Sequence, residues 1–460
     1  MRLATARAQR CLLLAAAGAG VAEIVLARRS AAPGGILHHR FGLLGTLALM
    51  WVAFAIAAAL LWRVRRTRTA VVVALILGVA LRIAAISPKA PLSDDLYRYS
   101  WDGIVQAHGI DPYRYAPLDP ALARLRTSHY LFPPASSTGT RINRPTVRTI
   151  YPPVAEAWFT VLHVLVPMRL HDRGLELAGL VVDLALLAVL LALLRGERRR
   201  WVVLYALCPL PVIEAVQNAH VDGLAALLLL LTVLALRRGR GGWAALALAA
   251  ATLVKIYPLL FLPLLLRSVG WRERLRRLAI FAGAVVLAYA PHVVAVGPKV
   301  LGYLPGYLQE EHYAEGTRYL LVDLLGVTGN AATVVVAGGL LAVLVIVWRS
   351  RLSFEQAAMW LFAAVLLLAT PVQPWYALTL VALIAVTGEW PLLVVCAAGY
   401  GVFFGTILDS QAVRWGHLGY GAAAGLLAVS YLVRRRWPQP PRNSAEANSR
   451  IPSSNATLAS

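Results

Sequence analysis

The sequence predicts an all-α protein, a polytopic bundle of about 12–14 transmembrane segments with a large extracytoplasmic loop that contains juxtamembrane helices. Composition is the first reason, since 59% of the 460 residues are hydrophobic and only 14% are charged. The mean hydropathy of +0.67 is the second, because soluble domains are much more polar. The third is arginine, which recurs in short clusters between apolar segments.

The apolar segments follow one another closely enough to form one membrane domain rather than several soluble ones. We expect spans at residues 11–27, 41–62, 69–86, 175–194, 202–217, 221–236, 243–254, 256–266, 278–296, 331–348, 354–369, 375–387, 391–407 and 416–433. Several are shorter than the roughly 20 residues that a perpendicular helix needs. The pair before and after Lys255 is expected to form a hairpin. The first segment resembles a signal peptide, but the length of its apolar run favours a retained helix.

The arginine clusters set the orientation of the bundle. They lie at residues 63–68, 195–200, 237–240, 267–277, 348–351 and 434–436. All of them fall on one side of the membrane if the segment at 151–167 does not span it, and the positive-inside rule makes that side the cytoplasm. Prolines open this segment, and its apolar and polar residues form separate stripes. Such a helix is typical of an interface. The two stripes are Val154, Trp158, Val161 and Leu165, and Glu156, Thr160 and His163.

Acidic residues are concentrated in two large outer loops, at residues 87–173 and 297–330. Positive charge inside and carboxylates outside place the chemistry on the extracytoplasmic face. We therefore expect a single polytopic membrane domain over residues 1–436, with a catalytic outer loop at 87–173 and a second outer loop at 297–330. The Pro-, Ser- and Asn-rich tail at 437–460 is expected to be disordered and cytoplasmic.

Composition and motifs argue against several function classes. The net charge is +22, but the arginines lie between membrane segments, so there is no soluble basic domain to bind nucleic acid. The three cysteines are far apart in apolar stretches, which predicts neither a disulfide framework nor a zinc site. The absence of GK[ST], HExxH and GxSxG motifs argues against nucleotide hydrolysis and common protease or lipase chemistry.

The stretch SDDLYRYSWDGIVQAHGIDPYRY, residues 93–115, crowds carboxylates and aromatic side chains at the mouth of an apolar span. Ser93, followed by good helix formers, predicts an N-capped helix over residues 94–106. Its first turn would hold two consecutive aspartates, where the helix dipole favours negative charge.

Side chains on this predicted helix form a candidate sugar-binding face. Asp95, Arg98 and Asp102 would share that face, because they are three and seven residues apart. Tyr99 is one of several aromatic side chains that offer a flat surface for a sugar ring. The alternative is that Asp94 and Asp95 are only helix-start charges and that the aromatic residues form an interfacial belt.

Two further polar sites occur beside apolar segments. In QNAHVDG (217–223), His220 and Asp222 either belong to a helix start or line the outer cavity. Lys255 is one of only three lysines in the chain. An unpaired ammonium between two apolar segments would be costly, so it either snorkels to the headgroups or binds an anion such as a lipid-linked phosphate.

Two stretches nearer the C-terminus contribute the remaining candidates. Arg318 lies in the second outer loop, and a guanidinium suits a pair of phosphate oxygens. The alternative there is an ordinary solvated loop. In ATPVQPWYALTL (369–380), Gln373 and Trp375 are expected at an outer helix start, where belt aromatics are the alternative.

Taken in order, five stretches resemble the GT-C superfamily of integral-membrane glycosyltransferases: SDDLYRYSWDGIVQAHGIDPYRY, TIYPPVAEAWF, NAHVDG, KIYPLLFLP and TPVQPWYAL. Within that superfamily the chain is similar to the actinobacterial polyprenol-phosphate-mannose-dependent mannosyltransferases. The resemblance spans residues 93–380. There are two departures: two extra helices precede the one that leads into the first loop, and the acidic pair is DD rather than DxD, so either aspartate could act.

The resemblance implies a GT-C-like fold in which Asp95 or Asp94 in the first outer loop is the general base. It matches the proline-led helix after Tyr151 to the juxtamembrane helix of that loop. Together with the residue patterns, it gives a set of candidate substrate-binding residues: Arg98, Tyr99, Asp102, Tyr113, Tyr151, His220, Asp222, Lys255, Tyr257, Arg318, Gln373 and Trp375.

The expected function is transfer of a hexosyl residue, with mannose favoured, from a polyprenyl-phosphate sugar to a glycan or glycolipid acceptor, with inversion. We expect this at the extracytoplasmic face of a bacterial plasma membrane, in cell envelope biosynthesis. No cofactor is firmly expected, although the acidic pair allows a divalent cation. The main alternative is a membrane transporter or lipid-sugar flippase. A lipid-linked ligase or polymerase that uses diphosphate donors is a third reading.

Overall fold

A computed structural model describes residues 2–30, 40–86, 92–134, 139–311, 313, 315–316, 318–407 and 412–436. Within these ranges the regular secondary structure is helical throughout. Seven helices are long and apolar enough to cross a membrane, or up to eight if a bent pair counts as one span. Shorter apolar helices of 10–17 residues accompany them. The predicted fold class, an all-α multi-pass membrane protein, is confirmed.

The helices follow the predicted spans closely. They are α1 Arg2–Ser30, α2 Arg40–Arg63, α3 Thr67–Ala85, α4 Asp95–Ala107, α5 Pro153–Leu165, α6 Asp172–Leu193, α7 Val203–Ala206, α8 Asp222–Arg237, α9 Gly241–Thr252, α10 Leu262–Leu266, α11 Trp271–Val296, α12 Leu304–Glu310, α13 Leu320–Asp323, α14 Gly329–Arg349, α15 Phe354–Ala369, α16 Leu378–Thr387, α17 Leu393–Ile407 and α18 Ala412–Arg436. Single 3₁₀ turns extend several of these helices, and a π-helical turn covers Pro211–Gln217. The 3₁₀ turns next to the site cover Tyr257–Phe261 and Pro374–Ala377.

The centre of the bundle is α16, in which every residue is buried. Helices α6, α7, α8, α15 and α17 pack around it, and α1 packs against α2 and α3 at the periphery. Large apolar side chains project outward from the outer helices; Leu287 and Val294 on α11 are 75% and 88% exposed. A surface of this kind is expected where lipid is the solvent, because lipid tails are as apolar as these side chains.

Backbone contacts gather the arginine clusters at one end of the bundle, here called the arginine-rich end. Arg200 donates to the carbonyls of residues 62 and 64, each at 2.9 Å. Arg237 donates to the Leu193 carbonyl at 2.8 Å and pairs with Glu355 at 2.6 Å. Arg267 donates to the carbonyls of residues 347 and 352. The clusters predicted to share one side of the membrane therefore lie together.

The two loops predicted to lie on the outer side, which keep the names first and second outer loop, meet at the other end, here called the acid-rich end. Arg144 of the first loop pairs with Glu310 of the second at 2.8 Å. The backbone amide of Tyr303 donates to the Thr149 carbonyl at 3.2 Å. Gly302 allows this approach, since a Cβ there would lie 1.8 Å from the Thr149 oxygen. The loops thus form one layer over the bundle.

The segment predicted not to span the membrane, α5, packs along α4 at the acid-rich end. Gly103 lies at their contact, where a Cβ would be 2.4 Å from the Phe159 carbonyl oxygen. The polar stripe of α5 turns inward, because Glu156 is fully buried, whereas Val161 and Leu165 on the apolar stripe are exposed. This orientation suits a helix that lies at the membrane boundary with its apolar side toward lipid.

One predicted span has a different form. Residues 202–217 are not a continuous helix: a 3₁₀ turn and α7 are followed by the π-helical turn, with a bend of 66° between the two parts. Pro209 and Pro211 explain the break, because proline lacks the amide proton that the helical hydrogen-bond ladder needs. The tail at 437–460, predicted to be disordered, lies outside the described residues.

Candidate active site

A cavity of about 320 Å³ opens at the acid-rich end. Four parts of the chain line it: the first outer loop, the turn at residues 255–257, the second outer loop around α12, and the junction of α15 with α16. Loops therefore form its upper walls and membrane helices its lower walls. Such a position lets one cavity meet both water and lipid.

Asp95 lines this cavity from the first turn of α4. Its Oδ1 accepts a hydrogen bond from the Asn143 amide at 2.6 Å, and its Oδ2 lies 3.8 Å from Nε2 of His220. Asp94 accepts from the same Asn143 amide at 3.1 Å, but its exposed side chain is not part of the cavity wall. The consecutive aspartates thus differ in direction, and only the second is available to a ligand in the cavity.

Lys255 extends into the same cavity from the turn between α9 and the following 3₁₀ turn. Its Nζ lies 3.2 Å from Oδ2 of the buried Asp222. The ammonium also lies over the rings of Tyr151 and Tyr376, at 5.2 and 5.4 Å from their centroids. Asp222 and two aromatic faces therefore hold this cation in place, while its side chain remains 15% exposed.

Arginines of the first outer loop line the upper wall. Arg98 donates from Nε to both carboxylate oxygens of Asp102, at 3.0 and 2.9 Å, and from Nη1 to the Val147 carbonyl. Its Nη2 is buried and has no hydrogen-bond partner among the described residues, although the side chain lines the cavity. Arg144 and Arg148 line the same wall. The upper wall therefore offers guanidinium groups to an anion.

The lower wall is apolar and aromatic. Tyr257 and Trp375 contribute ring faces there, and Gln373 contributes an amide that donates to Glu311 at 3.0 Å. Val365 and Leu366 of α15 complete the lower wall, and Leu304 and Leu308 of α12 add aliphatic side chains from the second outer loop. The cavity thus joins an anion-binding upper part to an apolar lower part.

Buried aromatic and acidic residues support the wall from behind. The Tyr113 hydroxyl donates to the Tyr151 carbonyl at 2.7 Å, and the Tyr151 hydroxyl donates to that of Tyr99 at 3.4 Å. Burial, with the charge of Asp95, raises the pKa of Tyr151 well above its usual range, so its phenol keeps the proton. Burial, with the charge of Asp102, likewise raises the pKa of Glu156 well above its usual range.

The predicted site residues fall into three groups. Those that line the cavity are Asp95, Arg98, Tyr151, Lys255, Tyr257, Gln373 and Trp375. Those that lie behind its wall are Tyr99, Asp102, Tyr113, His220 and Asp222. Asp94 and Arg318 are outside it. Arg318 pairs with Glu311 at 2.8 Å and does not line the cavity.

Sequence reasoning missed Asn143, Arg144, Arg148 and Glu214. The first three lie on an irregular part of the loop, where no periodic pattern marks them. Glu214 was hidden in a segment read as an apolar span, although a carboxylate there is itself a signal. Across the described residues, no group of three or more His, Cys, Asp and Glu side chains is arranged to hold a metal ion. The divalent cation that the acidic pair allowed stays a prediction.

Comparison with known proteins gives one match. The family model for Glycosyltransferase family 87, a GT-C-type membrane family, matches residues 149–371, which is slightly less than half of the chain. The match includes Tyr151, His220, Asp222 and Lys255 and stops short of Gln373. Searches of the curated proteins and of the solved structures found no significant match. The family match supports a glycosyltransferase, with a sugar donor and an acceptor as its substrates.

Proposed function

We propose that the protein transfers a hexosyl residue from a polyprenyl-phosphate sugar to a glycan or glycolipid acceptor, with inversion at the anomeric carbon. The observation that carries this proposal is that Asp95 and Lys255 line one cavity whose lower wall is apolar. A lipid-linked donor needs such a place, because its phosphate is polar and its tail is not. Mannose is the sugar that the sequence resemblance favours.

Asp95 is the proposed general base. A carboxylate in hydrogen-bond reach of an acceptor hydroxyl can take its proton as the oxygen attacks the anomeric carbon. The Asn143 amide donates to Oδ1 of Asp95 at 2.6 Å. Asn143 does not bond the second oxygen, Oδ2, which can therefore face the acceptor hydroxyl. Direct displacement by a hydroxyl on the face opposite the phosphate inverts the anomeric carbon.

The cationic side chains are the proposed phosphate-binding groups. As the bond from the anomeric carbon to phosphate oxygen breaks, negative charge grows on the departing polyprenyl phosphate, and fixed cations stabilise that charge. Lys255 offers an ammonium that Asp222 already holds at 3.2 Å. Arg98 offers the unpartnered Nη2. The side chains of Leu304, Leu308, Val365 and Leu366 suit the first isoprene units of the tail.

The acid-rich end is proposed as the extracytoplasmic side of a bacterial plasma membrane. The arginine clusters at the opposite end support this, because cytoplasmic loops carry an excess of Arg and Lys. We also propose that residues 1–436 act as one membrane domain whose catalytic loop is 87–173 and whose second outer loop is 297–330. The Arg144–Glu310 pair between these loops supports a shared role.

A transporter or lipid-sugar flippase is the second candidate. The broken span around Pro211–Gln217, bent by 66°, is the observation in its favour, because transporters often bind substrates at broken helices. The residues of its π-helical turn do not line the cavity.

Purified protein in vesicles would test the proposal, with radiolabelled polyprenyl-phosphate mannose, glucose, galactose and arabinose compared with a polyprenyl-diphosphate sugar. We expect covalent transfer from a monophosphate donor and a product of inverted configuration. Retention would contradict direct displacement. Movement of the labelled lipid without covalent transfer would favour the flippase, and transfer only from the diphosphate would favour a ligase or polymerase. Incubation with EDTA would test whether transfer depends on a divalent cation.

A further inference from the structure

A chain of buried polar groups leads from the interior of the bundle to Asp95. It begins at Glu214, which lies in the π-helical turn and is 2% exposed. The Glu214 carboxylate accepts hydrogen bonds from the Tyr400 hydroxyl at 2.8 Å and from the Asn218 amide at 3.0 Å. Its Oε2 lies 3.1 Å from Nδ1 of His220, close enough for a small turn of the ring to complete a hydrogen bond that the present ring orientation does not make. A carboxylate that is buried and held on several sides is well placed to fix the orientation of an imidazole.

The other nitrogen of the same imidazole faces the site. Nε2 of His220 lies 3.1 Å from the Ser93 hydroxyl and 3.8 Å from Oδ2 of Asp95. The ring stacks on Trp375, with centroids 3.9 Å apart, and its side chain is fully buried. Trp375 itself lines the cavity. The imidazole therefore lies between two carboxylates, with Glu214 3.1 Å from one edge and Asp95 3.8 Å from the other.

We propose that Glu214 and His220 are positioning residues that act through Asp95. With a small turn of the imidazole, Glu214 accepts the Nδ1 proton and so holds His220 in the tautomer whose Nε2 carries a lone pair. This inference rests on the proposed function, because it assumes that Asp95 takes a proton from the acceptor. The carboxylate–imidazole arrangement follows the physical logic by which a buried acid fixes a histidine tautomer.

The proton movement balances without any further reagent. The acceptor hydroxyl gives its proton to Asp95 as its oxygen bonds to the anomeric carbon, and the phosphate leaves with the electron pair of the broken bond. Asp95 then passes the proton to Nε2 of His220 by a small movement across the 3.8 Å gap. Glu214 stabilises the imidazolium. The proton reaches water when the product leaves, and Asp95 is again a carboxylate.

The charged groups around His220 come from three elements. They are Asp95 on α4, Glu214 on the π-helical turn and Asp222 on α8, with Lys255 beyond Asp222 at 3.2 Å. Of these groups, Glu214 lies nearest the Nδ1 edge, at 3.1 Å. A glutamine at this position keeps the shape but can turn its amide toward Nδ1, which favours the tautomer with a proton on Nε2.

The kinetic test is Glu214→Gln in the full chain. We expect kcat to fall by at least about tenfold, with the KM for the donor unchanged. The loss should shrink as pH rises, because bulk base can then take the proton from Asp95. Tyr400→Phe removes one bond to Glu214 and should give a smaller loss of the same kind. A wild-type kcat and pH profile in Glu214→Gln would overturn the proposal.

The matched control is Tyr205→Phe. Its hydroxyl also donates to a buried carboxylate, that of Asp183 at 2.6 Å, but this pair does not line the cavity. Tyr205→Phe should leave kcat and its pH profile unchanged. If both tyrosine variants, and Glu214→Gln with them, lose activity only in proportion to thermal stability, the role of Glu214 is structural and the proposal fails.

A second readout does not depend on activity. In protein labelled with ¹⁵N-histidine, the His220 signal, identified by its loss in His220→Asn, reports which ring nitrogen carries the proton. We expect the proton on Nδ1 in the wild type and on Nε2 in Glu214→Gln. A wild-type ring with its proton on Nε2 would overturn the proposal even if transfer occurs. The expected tautomer with no transfer would instead remove only the proposed function.

Discussion

Two buried ion pairs of this bundle use the same chemistry to different ends. Arg82 of α3 pairs with Asp183 of α6, and Lys255 pairs with Asp222 of α8. Arg82 also donates to the carbonyls of residues 78 and 206, and the second Asp183 oxygen accepts from the Tyr205 hydroxyl at 2.6 Å. Lys255 has one carboxylate partner and two aromatic faces, and it lines the cavity.

The difference lies in how completely each cation is bonded. Arg82 and its aspartate use their hydrogen-bonding groups within the bundle and are fully buried, so no capacity remains for a ligand. Lys255 retains ammonium protons for another anion. A buried charge that is fully bonded fixes the packing, whereas one that is partly bonded beside a cavity can serve a substrate. The following predictions test that distinction.

The largest effect is expected on the cavity side, for Asp95→Asn. Loss of the proposed base should lower kcat by about 10²–10⁴-fold, because an amide cannot take the acceptor proton. Initial rates of sugar transfer measure this change. Asp94→Asn is the control, since Asp94 does not line the cavity, and its rate should stay close to that of the wild type. An equal loss in both variants would contradict the assignment.

A change in the Arg82–Asp183 pair should lower the stability of the protein rather than its activity. Arg82→Met leaves Asp183 buried without its partner, which costs about 3–5 kcal/mol of the free energy of unfolding. Thermal unfolding in detergent measures this loss. The double variant Arg82→Met/Asp183→Leu should recover much of it, because it leaves no buried charge. If Arg82→Met folds normally and loses activity instead, the contrast between the two pairs is wrong.

A change in the Lys255–Asp222 pair should lower the rate of sugar transfer. Lys255→Met removes a fixed cation from the position of the leaving phosphate, so kcat/KM for the donor should fall by about 10²-fold. Lys255→Arg keeps the charge and should retain part of the activity. Steady-state rates at several donor concentrations separate the two variants. Equal activity of Lys255→Met and the wild type would show that Lys255 belongs with Arg82 as a structural cation.

The smallest effect is expected for Glu156→Gln, behind the cavity wall. Burial, with the charge of Asp102, raises the pKa of Glu156 well above that of the unfolded chain. The folded protein therefore holds the Glu156 proton more tightly than the unfolded chain does. The stability that this gives is fully present below the pKa of Glu156 in the unfolded chain, and it is lost as pH rises through the pKa in the folded protein. The thermal unfolding midpoint of the wild type should therefore fall as pH increases through this range. Glu156→Gln should flatten the dependence, and an unchanged slope would contradict this.

Much of the fold could be predicted from the sequence because lipid imposes a simple pattern. Long apolar stretches gave most helix boundaries within a few residues, as for the span predicted at 354–369, which is α15. The prediction that residues 202–217 form a single helix was wrong. Apart from Glu214 and Gln217 the residues of this segment are apolar or aromatic, so mean hydropathy could not reveal the break, although Pro209 and Pro211 could have.

Part of the candidate site could also be predicted, for a physical reason. Lys255 was identified because a cation between apolar segments is costly, and Asp95 because a carboxylate follows a span. Asn143 and Arg148 were missed because an irregular loop has no period, so the sequence does not show which side chains meet a cavity. Arg318 was placed there by charge alone, and the acid that pairs with it, Glu311, is close in sequence.

The most direct measurement is an experimental structure of the protein in lipid nanodiscs with a non-hydrolysable polyprenyl-phosphate sugar. We predict that the phosphate lies within hydrogen-bond distance of the Lys255 ammonium, that the tail runs along α12 and α15, and that the anomeric carbon faces Asp95. A phosphate bound at the arginine-rich end, or one at the acid-rich end that touches neither Lys255 nor Arg98, would contradict the account.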